Sequence, residues 1–68
     1  MKKMTLKMLR VRDNLTQEEI AKKIGVSTET WSNWENKKTF PDIPKLQKIE
    51  EVFNVTYNDI IFLDNITV

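Results

Sequence analysis

The run Thr16-Gln17-Glu18-Glu19-Ile20-Ala21-Lys22-Lys23-Ile24-Gly25-Val26-Ser27-Thr28-Glu29-Thr30-Trp31-Ser32-Asn33-Trp34-Glu35-Asn36 decides how this chain folds. It reads as two short helices hinged at one glycine. Thr16 caps the first, and Glu19, three residues on, completes a capping box. Ile20, Ala21 and Ile24 recur at helical spacing and form its buried stripe. Gly25 ends it, because glycine adopts a positive φ without a Cβ clash. Ser27 caps the second helix, which carries Trp31 and Trp34 on one face and Thr28, Glu29, Ser32 and Asn33 on another.

Outward from this pair, Thr5 caps an earlier helix that runs to about Arg12 with Leu6 and Leu9 inward. Asn14 follows where the chain must turn, a position at which asparagine tolerates the left-handed conformation. Beyond the pair, Lys37-Lys38-Thr39-Phe40-Pro41 is a basic loop. Asp42 caps a fourth helix with Pro44 in its first turn, where a missing N–H costs little. Leu46, Ile49, Val52 and Phe53 carry the apolar period until Asn54. Thr56 and Asp59 start a fifth helix through Ile60 and Ile61. The expected architecture is all-α, a compact five-helix domain over residues 1–68 with its core at about 5–61.

The chain has 68 residues, enough for one domain that buries roughly 60% of its unfolded surface. It contains no cysteine and no histidine, which removes disulfides, thiolate metal sites and the commonest general base. No nucleophile–base pair, metal-ligand cluster or phosphate-cradling glycine loop is present. Catalysis, a metal and a cofactor are therefore not expected. Lys2 and Lys3 have no apolar stretch behind them, and no run approaches a membrane span, so a soluble, cytoplasmic protein is expected. The net charge is only +1, but all 11 Lys and Arg fall within residues 1–49. That segment balances at +5 and residues 50–68 at −4, giving one basic and one acidic end.

The ordered set Leu15 to Ala21, Gly25-Val26-Ser27, Trp34-Glu35-Asn36 and Pro41 resembles the Cro and phage-repressor-like helix-turn-helix regulators, the XRE family. The resemblance covers about residues 5–61. It implies a lambda-repressor-like fold in which Ala21 is small where two helices cross, Gly25 makes the turn, and Trp31 and Trp34 pack the hinge. It also implies that the third helix reads bases in the DNA major groove. The positions carried over are Thr28, Glu29, Ser32 and Asn33. Asn33 suits adenine N6 and N7 together, Glu29 a cytosine N4, and Thr28 a thymine methyl. Gln17, Ser27, Asn36, Lys37 and Lys38 are the implied phosphate contacts, and Arg10 is implied to pair with Glu35. Two positions depart from the family pattern: Lys37 stands where glycine is frequent, and Trp31 where a smaller residue is usual.

The function implied is a sequence-specific transcriptional regulator, a repressor binding a short palindromic operator in double-stranded DNA as a homodimer. The alternative is a protein-interaction or antitoxin-like module that uses the same scaffold to engage a regulatory protein partner. The apolar run through Phe62 and Leu63 exceeds what a last helical turn needs. The tail 62–68 is thus available for a dimer contact.

Overall fold

A computed structural model describes residues 3–62. The order is strand β1 (Met4–Thr5), helices α1 (Leu6–Arg12), α2 (Gln17–Ile24), α3 (Thr28–Glu35) and α4 (Ile43–Phe53), a 3-10 turn at Tyr57–Asp59, and strand β2 (Ile60–Ile61). Each helix begins where a short polar side chain takes up an orphan N–H. Thr5 accepts from the Met8 N–H, Thr16 from Glu19, Ser27 from Thr30 and Asp42 from Lys45.

The four helix ends share one device. Asn14, Gly25, Lys37 and Asn54 all adopt left-handed backbone, with φ of 59°, 94°, 62° and 57°. In each case the next N–H reaches back to a carbonyl five residues earlier: Leu15 to Arg10, Val26 to Ala21, Lys38 to Asn33 and Val55 to Glu50, at 2.9–3.1 Å. This is the six-to-one closure that turns a chain sharply out of a helix. Lys37, at the position where the family resemblance leads one to expect glycine, thus makes this turn at the steric cost a Cβ brings to that conformation.

The core is one cluster built from every helix: Leu6, Leu9, Ile20, Ala21, Ile24, Trp31, Trp34, Ile49, Phe53 and Ile60. Trp31 is fully buried. Its ring meets Trp34 edge-on at 5.7 Å and Phe53 at 6.4 Å, so its extra volume is absorbed by an aromatic layer under α3. Helix α2 packs on both α3 and α4, and α1 packs on α3. Arg12 donates to the Phe53 carbonyl at 2.9 Å and ties the end of α1 to the end of α4.

The expected fifth helix is corrected. Thr56 and Asp59 do form a capping box, but only the single 3-10 turn follows. Ile60 and Ile61 are extended and pair in parallel with Met4 and Thr5. Two consecutive β-branched residues favour that geometry, and the pairing satisfies main-chain groups that one isolated turn would leave open. The expected roles of Leu63 and the rest of the tail lie outside the described residues.

Gly25→Ala is expected to lower stability by about 1–2 kcal/mol in chemical denaturation. No neighbouring atom lies within 4 Å of the added Cβ, so the loss comes from the φ of 94° rather than from a clash. A neutral result would mean that α2 can end without the left-handed residue.

Candidate nucleic-acid interface

Helix α3 has two unlike sides. Trp31 and Trp34 anchor one side in the core. On the other, Thr28 and Glu29 are exposed, while Ser32 and Asn33 are half-buried. At about 100° per residue, Glu29, Ser32 and Asn33 lie across the helix from the two tryptophans and Thr28 lies at the margin, so the core holds the rod from behind. Among the described residues, the side chains of Thr28, Glu29 and Asn33 make no hydrogen bond to protein. Their donors and acceptors are open to a ligand.

The residues expected at phosphates are placed less uniformly. Lys38 and Asn36 are exposed and Lys37 is half-buried at the end of α3. The Asn36 amide leans on Ser32 Oγ at 3.4 Å. The Ser27 hydroxyl caps α3 and donates to Thr30 Oγ1 at 2.9 Å, so a phosphate contact from it requires that proton to turn away. Gln17 opens α2, whose first N–H groups have no acceptor inside the helix.

The Gln17 side chain is part of a network that joins the first three helices. Arg10 Nε donates to Glu35 Oε2 at 2.6 Å, and Arg10 Nη2 to Oε1 at 3.3 Å. Trp31 Nε1 also donates to Oε2, at 2.6 Å, and Gln17 Nε2 to Oε1, at 3.0 Å. The remaining Arg10 nitrogen, Nη1, donates to the Leu15 carbonyl at 2.9 Å. The Glu35 side chain keeps only 5% of its exposure. Burial is the largest influence on its carboxyl and pushes the pKa up. The hydrogen bonds from Arg10, Gln17 and Trp31, with the Arg10 charge, outweigh it and hold the pKa below the ordinary value. Among the described residues, no buried side-chain polar atom lacks a partner.

Sequence reasoning placed Arg10 opposite Glu35 and gave Gln17 and Trp31 separate duties. It did not connect all four. Trp31 and Glu35 are four apart on one helix, so that contact was readable from spacing. The Gln17 contact crosses between helices and leaves no local pattern.

A second surface feature lies away from this network. Phe40, Pro41, Ile43, Leu46, Tyr57 and Phe62 line an open apolar hollow of about 500 Å³. Ile43 is 65% exposed and Tyr57 55%. Tyr57 stacks on Phe62 at 5.6 Å. No helix among the described residues is long and apolar enough to cross a membrane.

Comparison with known proteins gives a consistent result. A family model described as helix-turn-helix matches residues 6–60. An uncharacterized HTH-type transcriptional regulator of Archaeoglobus fulgidus is 41% identical over 59 residues, covering 87% of this chain and 83% of that protein. One from Methanocaldococcus jannaschii is 40% identical over 60 residues, 88% of this chain and 91% of its own. The HTH-type transcriptional activator BcrR of Enterococcus faecalis is 38% identical over 56 residues, which are 82% of this chain but only 28% of that protein.

Proposed function

We propose that this chain, which belongs to the helix-turn-helix family of XRE type, is a sequence-specific DNA-binding transcriptional regulator that acts as a repressor. The observation that carries the reading is the polar side of α3, where Thr28, Glu29 and Asn33 stand without protein partners on a helix anchored by two buried tryptophans. Its relatives, named as HTH-type transcriptional regulators, support it. In this reading Thr28, Glu29, Ser32 and Asn33 address base edges. Gln17, Ser27, Asn36, Lys37 and Lys38 hold the phosphates that fix the register. Repression is by occupancy, with the bound protein blocking polymerase at an overlapping site.

The operator is a short palindrome bound by a homodimer, whose symmetry presents two α3 helices to major grooves about 34 Å apart. The hollow around Phe40, Ile43, Tyr57 and Phe62 supports the dimer, since apolar side chains exposed together mark a contact surface.

Selection of bound fragments from random DNA tests the reading. Two inverted half-sites about one helical turn apart are expected. On the selected site, Asn33→Ala should cost about 1–3 kcal/mol and relax preference at one base pair. Lys38→Ala should weaken every sequence alike and flatten the salt dependence by about one ion. A pool that enriches nothing overturns DNA reading, and equal small losses for both variants on all sequences overturn the assigned roles.

A further inference from the structure

We infer that Trp31 is a positioning residue for the Gln17 phosphate contact and acts through the Glu35 carboxylate. The inference rests on the DNA-binding reading above and adds to it a residue that never meets DNA, since Trp31 is fully buried. The geometry of the carboxylate carries it. An arginine fork facing a carboxylate tends toward two parallel bonds of similar length. Here the fork is lopsided: Arg10 Nε sits 2.6 Å from Oε2, whereas Nη2 sits 3.3 Å from Oε1.

In this inference the asymmetry follows from the indole, which shares Oε2, the oxygen on the short arm. Its N–H draws Oε2 from the α3 side at 2.6 Å. The other oxygen, Oε1, is left displaced from the guanidinium and within 3.0 Å of Gln17 Nε2. Without the indole N–H, the carboxylate recentres on the fork and Oε1 withdraws from Gln17.

The bond to Gln17 in turn fixes how its amide faces. A carboxylate only accepts, so the NH2 side must point to Glu35. One N–H of that planar group is then engaged, and the direction of the second is set with it. A flexible side chain at the start of α2 is thereby held as a ready phosphate donor, which lowers the ordering cost of binding.

The chain is short enough for chemical synthesis, which permits benzothienylalanine at position 31, an indole isostere with sulfur in place of N–H. Affinity for the fragment that the wild type selects is measured for this variant, for Trp31→Phe, for Gln17→Ala and for each combined with Gln17→Ala. Loss of the N–H should weaken binding roughly three- to tenfold, the scale of one hydrogen bond. The loss should be equal on all sequences and should vanish in the Gln17→Ala background. In the free protein, the Gln17 side-chain N–H proton bonded to Glu35 should be shifted downfield by NMR in the wild type and should move toward the free-amide position in the isostere variant.

Equal losses with and without Gln17 would assign Trp31 to packing alone and overturn the inference. So would unaltered Gln17 amide signals in the isostere variant. A wild type that selects no DNA sequence fails at the first measurement, before any variant, and that result identifies the functional reading as the one at fault.

Discussion

Arg10→Met is expected to cost about 3–5 kcal/mol of folding stability, the range for removing one partner of a buried ion pair. At about 0.05–0.15 kcal/mol per residue, a chain of this length has only about 3–10 kcal/mol to lose. Much of the variant should therefore be unfolded even without denaturant. The cause is the carboxylate left behind. Glu35 keeps Trp31 and Gln17 as donors but loses the charge that compensates its burial.

The pH dependence separates this cause from mere loss of packing. In the wild type the folded pKa of Glu35 lies below its unfolded value. Its contribution is therefore complete above the ordinary glutamate range near about 4.3 and is lost as pH falls through the folded pKa. In Arg10→Met the donors that hold the pKa down are fewer while the burial that raises it persists. The gap in stability between wild type and variant should consequently narrow as pH falls through the carboxylate range. Denaturation at several pH values reads this directly. A gap that stays constant with pH would mean that Arg10 contributes through its stem and not through its charge. Converting the pair to Arg10→Met with Glu35→Leu should recover only part of the loss, because the buried Trp31 N–H then has no acceptor.

The parts of this fold that could be read from sequence are those governed by a few adjacent residues. Thr5, Thr16, Ser27 and Asp42 all cap the helices expected of them, because a short side-chain acceptor before an apolar period satisfies local N–H groups. Asn14, Gly25 and Asn54 end helices for an equally local reason. Lys37 was less legible, since nothing in a lysine announces left-handed backbone; the demand comes from the turn and overrides the residue's preference.

Pairing between Met4–Thr5 and Ile60–Ile61 was not legible either. Two residues show no alternation, and all four helices separate the partners in sequence. The same distinction holds at the candidate interface. Helical spacing separates the tryptophan side of α3 from Thr28, Glu29, Ser32 and Asn33. The convergence of Arg10, Gln17 and Trp31 on one carboxylate needs the three helices in place.

Phe53→Ala is expected to be as damaging as the loss of Arg10, about 3–5 kcal/mol, because a buried ring is deleted and its neighbours cannot close the space. Phe53 is 1% exposed, packs against Trp31 and lies at the point where Arg12 binds the end of α4. Its effect on DNA binding should nevertheless differ in kind from that of Asn33→Ala. Phe53 makes no surface contact, so the folded fraction of the variant should keep the wild-type interface. Apparent affinity then falls in proportion to the folded population, by the same factor on selected and unselected sequences. Excess operator DNA should draw the chain back to the folded state, raising its denaturation midpoint as DNA concentration rises. Circular dichroism with and without the selected fragment measures both effects. If Phe53→Ala instead altered base preference in the folded fraction, the core would be setting the tilt of α3 on DNA as well as holding it, since an unchanged helix position cannot change which base edge Asn33 would meet in the proposed reading.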